Sequence, residues 1–159
     1  MLNPIDTASV IREGGAVGTH RSDLHQGLAW WLGSCLVVTH QVRRLLVAHS
    51  SSPLIATYAD RLCRGATNAR HYACEVTTMG ARTEEEFLAA LQEAPVAGAW
   101  LSDADGHVRI RLHGPDSEVL QEAGLATIRD MISRDLVPIP VNDRAKGTIR
   151  PWQPKRNRA

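Results

Sequence analysis

The chain has 159 residues, of which 43% are hydrophobic, and its formal net charge is +1. This length and composition fit one folded domain with a sizeable core and exclude a disordered chain. Phe87 is the only phenylalanine, so the core must be mostly aliphatic and rich in alanine.

Cysteine usage and apolar runs indicate the compartment. Cys35, Cys63 and Cys74 are an odd number at no metal-like spacing, which predicts buried, reduced thiols. Residues 1–18 lack the basic and then apolar pattern of a secretion signal. The longest apolar run, residues 27–38, is shorter than the ~20 residues that a membrane-spanning helix needs. We therefore expect a soluble, cytoplasmic protein without a membrane partner.

The first half of the chain is predicted to be helical. Residues 1–21 contain scattered glycines and polar groups and are interpreted as a loose arm. A long helix is expected over about residues 23–48, and its middle, around Trp30-Trp31, is apolar on nearly every side. Ser52-Pro53 is typical of the start of a second helix. Residues 23–66 are therefore predicted to form a helical hairpin.

The second half alternates between strand and helix patterns. The predicted strands cover residues 70–78, 96–102, 107–113 and 136–141. One predicted helix starts at the capping box Thr83-Glu84-Glu85-Glu86, and another opens at Pro115. The resulting order is the βαββαβ pattern of a ferredoxin-like sandwich. The predicted fold is thus α+β, with the helical hairpin added to a ferredoxin-like core over about residues 69–141.

Charge divides the chain into an acidic body and a basic tail. No acidic residue follows Asp143, whereas the last 16 residues contain six lysines and arginines. Residues 1–143 carry the other 12 and all 17 aspartates and glutamates, a formal charge of −5. We predict a single domain over residues 1–143 and a basic, flexible tail over residues 144–159. Such a tail binds nucleic acid, or an acidic face of its own or a neighbouring subunit.

The strand over residues 107–113 carries the sharpest functional signal. Its side chains alternate between an apolar face and a cationic face, and the cationic face holds His107, Arg109, Arg111 and His113. Pairing of Ser102 with His107 across the turn would place Trp100 opposite Arg109. An aromatic ring beside guanidinium groups on an open sheet can stack on bases while the cations meet phosphates. Without a ligand, the same residues form a cross-strand cation–π pair covered by the helical hairpin.

These observations predict a non-catalytic nucleic-acid-binding or regulatory protein, with DNA or RNA as partner. The predicted binding residues are Trp100, His107, Arg109, Arg111, His113, Arg144, Lys146, Arg150, Trp152, Lys155, Arg156 and Arg158. A homodimer is expected, because one small domain could hardly surround the apolar helix segment around Trp30-Trp31.

Two other functions are also compatible with the sequence. The first is a protein–protein interaction module or homo-oligomeric adaptor whose basic tail reaches an acidic partner. The second is an enzyme or small-molecule binder with a histidine-containing pocket between the hairpin and the sheet. No catalytic residue, metal site or cofactor is predicted, because the histidines lack ligand spacing and no phosphate-binding or hydrolase motif is present.

Overall fold

The structure is a computed structural model that describes residues 5–69, 74–138 and 146–153. Helices and strands alternate along most of this part of the chain. In chain order they are α1 (Thr7–Val10), β1 (Gly15–Thr19), α2 (Gln26–His40), β2 (Arg44–His49), α3 (Pro53–Asn68), β3 (Glu75–Ala81), α4 (Glu84–Glu93), β4 (Ala97–Ala104), β5 (His107–His113), α5 (Glu122–Ser133) and β6 (Thr148–Pro151).

The strands form one mixed sheet in the order β1-β5-β4-β2-β3-β6. Strand β5 is antiparallel to both of its neighbours, β1 and β4, whereas β4, β2, β3 and β6 are mutually parallel. All the strands except β5 therefore run in the same direction. Their last residues meet at one edge of the sheet, which we call the carboxyl edge.

One face of the sheet, which we call the closed face, is covered by α2, α3 and α5. The apolar side chains of these helices and of the sheet form the larger core, with Leu32, Leu62 and Ile128 fully buried. Helices α2 and α3 approach closely because a glycine stands on each side of the contact. A Cβ on Gly33 would meet the Leu62 carbonyl, and a Cβ on Gly65 would meet the Trp30 carbonyl.

The opposite face, which we call the open face, is covered by α4 alone among the described helices. The capping box predicted at Thr83 is present: Thr83 Oγ1 accepts from the Glu86 amide, and the Glu86 carboxylate accepts from the Thr83 amide. Phe87 and Leu91 of this helix pack on the sheet in a second, smaller core. Helix α4 contacts β2 and β4, so the sheet near β3 and β6 is less covered.

The α+β class is confirmed, but a ferredoxin-like sandwich is not. Strand β2 lies between β4 and β3 and is parallel to both, whereas the predicted sandwich has no strand from this part of the chain. The helix predicted over residues 23–48 ends at His40, so the helical hairpin over residues 23–66 is interrupted by β2. Gln41 ends the helix in the left-handed conformation, at φ 50°, although Gln is not a typical residue there.

Other boundaries also differ from the predictions. The segment predicted to be a loose arm contains β1, which is the outermost strand on one side of the sheet. The helix expected at Pro115 begins at Glu122. Residues 136–138 are not in a strand, and the rest of the predicted strand over residues 136–141 lies outside the described residues. Part of the tail predicted to be flexible forms β6, which pairs with β3.

The apolar segment around Trp30-Trp31 is partly covered within the domain. Helix α2 packs against α3 and α5, and its buried residues belong to the larger core. Trp30 and Trp31 themselves are only half-buried, and the homodimer stays a prediction. No helix in the described part of the chain is long and apolar enough to cross a membrane.

Candidate functional site

Polar side chains collect at the carboxyl edge, where the loops that follow four strands meet. This carboxyl-edge cluster consists of His20 after β1, His49 at the end of β2, Ser50 and Ser52 after β2, Arg82 after β3 and Asp103 near the end of β4. The sequence produces this arrangement because each apolar strand is followed directly by a polar turn, and because the strands run in parallel.

Hydrogen bonds connect the loops of the carboxyl-edge cluster. The Ser52 hydroxyl donates to the Asp103 carboxylate at 3.1 Å, which links the loop after β2 to β4. The Arg82 amide donates to the His49 carbonyl at 3.0 Å, which links the loop after β3 to that after β2. The Ser50 amide donates to the Leu101 carbonyl at 2.9 Å. The loops after β2 and β3 are therefore held in fixed positions relative to β2 and β4.

His20 brings the loop after β1 into the same cluster. Its amide donates to the Gly106 carbonyl at 2.9 Å, and its Nδ1 lies 2.6 Å from the Tyr58 hydroxyl. Burial raises the pKa of Tyr58, so its phenol stays protonated and can donate to Nδ1. The other ring nitrogen of a neutral His20 then carries the proton.

Helix α3 points its amino terminus at this cluster. Pro53 occupies the first turn, and Ser52 is the N-cap residue, but the Ser52 side chain makes no capping hydrogen bond. Its hydroxyl is directed at Asp103, to which it donates. The amides of the first turn of this 16-residue helix are thus left without a side-chain cap. The buried hydroxyl of Ser50 has no hydrogen-bond partner among the described residues.

The chain leaves β2 and β3 on opposite sides of the sheet. Helix α3 follows β2 and lies on the closed face, whereas α4 follows β3 and lies on the open face. In open sheets of this kind, ligands bind in the crevice outside the carboxyl ends of the strands, at the point where the connections diverge. His49 and Arg82 stand on the two sides of that point.

The chemistry of the cluster suits an anion that also carries hydroxyl groups. A helix amino terminus favours negative charge, imidazole groups can donate or accept, and the Asp103 carboxylate accepts hydrogen bonds. Within the described ranges, no three His, Cys, Asp or Glu residues are placed to hold a metal ion. The thiols are free and buried as predicted, and burial raises the pKa of Cys35, Cys63 and Cys74 to about 12, so none is a nucleophile at neutral pH.

The predicted nucleic-acid-binding face is not an open platform. Trp100 is 7% exposed and stacks on Phe87 of α4, with ring centroids 6.1 Å apart. His113 is 4% exposed and contacts the edge of Phe87. His107 and Arg109 are exposed, and Arg111 is half-buried. The aromatic ring that bases would stack on is therefore covered by α4.

The predicted pairing of the β4–β5 hairpin is shifted by two residues. Trp100 pairs with Arg111 and Ser102 pairs with Arg109, because the turn contains only Asp105 and Gly106. Both turn residues have positive φ, as a two-residue hairpin turn requires. A shift by two residues keeps every side chain on its predicted face.

The predicted tail residues divide into two groups. Lys146 and Arg150 are exposed, and Trp152 is half-buried with the Arg82 guanidinium 5.4 Å from its ring centroid. The others, Arg144, Lys155, Arg156 and Arg158, lie outside the described residues. In the described part of the chain, buried apolar side chains of α2, α3 and the sheet occupy the space where a pocket was expected between the helical hairpin and the sheet.

The sequence analysis did not predict that one site would bring together five residues: His20, His49, Ser50, Ser52 and Asp103. The available signal was the apolar run Leu45–Ala48 followed by Ser50-Ser51-Ser52-Pro53, a strand, loop and helix start in direct succession. The sequence prediction assigns Ser52-Pro53 only to a helix start, because it places the preceding apolar run at the end of a helix.

Comparison with known proteins gives similarity in structure only. No family model and no curated protein matches the sequence. The structure is similar to a phosphoglucomutase/phosphomannomutase family protein from Burkholderia thailandensis, with a TM-score of 0.75 and 10% identity over 94% of this chain and 34% of that one. It is also similar to a putative phosphomannomutase from Thermus thermophilus, with a TM-score of 0.66 and 16% identity over 96% of this chain and 34% of that one.

The chain spans about a third of the length of these two proteins. At such low identities the similarity establishes the fold. The prediction of a non-catalytic nucleic-acid-binding or regulatory protein is wrong: the two similar structures are named as a phosphoglucomutase/phosphomannomutase family protein and a putative phosphomannomutase. Trp100, one of the two residues predicted to stack on bases, is also buried.

Proposed function

We propose that the chain is a sugar-phosphate mutase domain that binds a phosphorylated hexose at the carboxyl edge. The observation that carries the proposal is the similarity over 94% of the chain to a phosphoglucomutase/phosphomannomutase family protein. The names of both similar proteins denote phosphorylated glucose or mannose. Substrate binding is the role proposed for this domain, since the chain corresponds to about a third of each of these proteins.

The amino terminus of α3 is the proposed position of the phosphate group. Its first-turn amides have no side-chain cap, and the buried Ser50 hydroxyl in the preceding loop has no hydrogen-bond partner in the described structure. Backbone amides at a helix amino terminus donate hydrogen bonds to phosphate oxygens, and the helix dipole favours the negative charge. No glycine-rich loop is needed for this mode of binding.

The sugar is proposed to lie between the loops after β1, β2 and β4. The Asp103 carboxylate accepts hydrogen bonds from sugar hydroxyl groups, and its position is fixed by Ser52. His20, whose ring is oriented by Tyr58, donates or accepts at the opposite side. We also propose a cytoplasmic location, because all three cysteines are buried and unpaired.

Isothermal titration calorimetry tests this proposal. The full chain is titrated with glucose 1-phosphate, glucose 6-phosphate and mannose 6-phosphate, with glucose and inorganic phosphate as separate ligands. At least one hexose phosphate is expected to bind more tightly than either separate part. Asp103→Asn is expected to weaken that binding by about tenfold, as the loss of a charge-assisted hydrogen bond worth ~1.5 kcal/mol requires.

Asp105→Asn is the matched control, because Asp105 is an exposed carboxylate two residues further along the same hairpin. It should bind hexose phosphate as tightly as the unmodified chain. Equal affinity for inorganic phosphate and hexose phosphate, or equal loss in both variants, would contradict the proposal.

A further inference from the structure

A groove on the open face is distinct from the carboxyl-edge cluster, which it approaches at Arg82, whose guanidinium lies over the Trp152 ring. It has a volume of about 310 Å³, which is at the lower end of the range for small-molecule sites. One wall is the small-residue side of α4, with Ala90 and Ala94, continued by Val96. The opposite wall is Trp152, and Thr77 lies on the sheet between the two walls.

Trp152 is held in position as a wall of this groove. Its amide donates to the Thr78 carbonyl at 2.9 Å, directly after β6. The Arg82 guanidinium lies over the indole ring, 5.4 Å from the ring centroid, and the ring packs against the smaller core. The indole is therefore ordered before any ligand arrives, which reduces the entropy cost of binding.

Two opposite charges stand side by side in the lining of the groove. Arg44 and Glu75 are partners in the β2–β3 register, and both are exposed. Neither of them forms an ion pair within the part of the chain that the structure describes. One guanidinium and one carboxylate are thus available to a ligand, next to an apolar wall.

We propose that this groove binds a free α-amino acid with an apolar side chain, of about the size of leucine or phenylalanine. The ligand carboxylate pairs with the Arg44 guanidinium, whose planar fork matches a carboxylate. The ligand ammonium pairs with the Glu75 carboxylate. The apolar side chain lies along Ala90, Ala94 and Trp152.

The charge pattern favours this ligand over the other classes considered. A sugar phosphate or a nucleic-acid phosphate is repelled by Glu75, which stands beside the cation that would attract it. A sugar ring would stack on the indole, but the Arg82 guanidinium already occupies a face of Trp152. A zwitterion satisfies both charges at once, because its ammonium and carboxylate are attached to the same carbon atom. This proposal is independent of hexose phosphate binding at the carboxyl edge.

Calorimetric titration of the full chain with L-phenylalanine and L-leucine tests the proposal. Two analogues are titrated alongside: 3-phenylpropionate, which lacks the ammonium, and phenethylamine, which lacks the carboxylate. We expect both amino acids to bind and both analogues to bind at least about tenfold more weakly. Arg44→Gln and Glu75→Gln should each weaken amino-acid binding to a similar extent, since each leaves one ligand charge without a partner.

Arg61→Gln is the control variant, because Arg61 is an exposed cation of α3, the helix on the closed face, and does not line the groove. It should bind the amino acids as the unmodified chain does. The proposal is overturned if neither amino acid binds, if the analogues bind as tightly as the amino acids, or if Arg44→Gln and Glu75→Gln retain full affinity. The hexose phosphate titration of the same variants is expected to be unchanged, so failure of one proposal is distinguished from failure of the other.

Discussion

On the closed face, α2, α3 and α5 bury the larger core, whereas on the open face α4 covers only part of the sheet. The same strands supply both faces, because alternate residues of each strand point to opposite sides. Val47 of β2 belongs to the larger core, and its neighbours Leu46 and Ala48 belong to the smaller one. The difference therefore arises from the helices and not from the sheet.

The comparison shows where binding can occur in this fold. Three helices on one side stabilise the domain, so the other side can remain partly uncovered and hold the groove beside Trp152. The carboxyl edge lies between the two faces, where α3 and α4 leave the sheet on opposite sides. Substitutions on the two faces should accordingly have different effects, which the following predictions test in order of expected size.

Phe87→Ala is expected to have the largest effect, because α4 is the one described helix that covers the open face. Phe87 is fully buried and stacks on Trp100. Its loss should lower the free energy of unfolding by about 3–5 kcal/mol and shift the Trp fluorescence to longer wavelength. Urea denaturation measures the first quantity. Leu88→Ala, at a neighbouring position that is 40% exposed, should change stability little; similar losses in both variants would contradict the account of this face.

Gly65→Ala tests the closed face, where two helices are in close contact. The added Cβ would meet the Trp30 carbonyl, and a backbone atom cannot move aside as a side chain can. We expect a loss of about 1–3 kcal/mol in the free energy of unfolding, measured by the same denaturation. Arg61→Ala, at an exposed position of the same helix, is the control. A Gly65→Ala variant as stable as this control would show that the helices do not approach so closely.

The smallest effect is expected from pH, through His40 at the end of α2. Burial lowers the pKa of His40, and Asp116 partly offsets that shift. As pH falls through about 6.5, the unfolded chain takes up a proton on this residue before the folded chain does. Stability should therefore be fully present above this pH and decrease as pH falls towards the lower folded-state pKa.

Denaturation at a series of pH values measures this dependence. His40→Gln should reduce the slope, whereas His107→Gln, at an exposed position, should leave it unchanged. Asp116→Asn removes the group that raises the pKa and should make the slope steeper. A slope that is the same in all three variants would contradict the role given to His40.

Local signals in the sequence were sufficient for several elements. The capping box identified the start of α4, and strict alternation identified β5 together with the faces of its side chains. Asp105 and Gly106 then fixed the hairpin, although the number of turn residues, and hence the pairing, was wrong by two positions. In each case the information lies within a few residues of the element that it determines.

The strands β1, β2 and β6 were missed because their local signals are weak. Strand β1 contains two glycines, and a glycine is needed at position 15 because the Ile110 carbonyl lies where a Cβ would be. Strand β2 is a short apolar run that cannot be distinguished from a buried helix by periodicity alone. Strand β6 ends in a proline at the sheet edge, where the missing amide is acceptable.

These missing strands explain why the site was not predicted. Without β1 and β2, His20 and Ser50 have no common edge on which to meet. Trp100 and the cations do share a face, as the sequence predicted. The residue pattern of a strand does not show which helix will pack on it, so the covering of this face by α4 could not be predicted. The site depends on packing between residues that are distant in the sequence, whereas sequence patterns indicate mainly the local structure of neighbouring residues.

The most direct test of hexose phosphate binding is to observe the amide signals of the ¹⁵N-labelled full chain by NMR during titration with glucose 1-phosphate. The account predicts that the largest shifts fall on His20, on the loop and helix start over residues 49–55, and on Asp103. Shifts confined to the groove beside Trp152, or no shifts beyond those that inorganic phosphate produces, would contradict it.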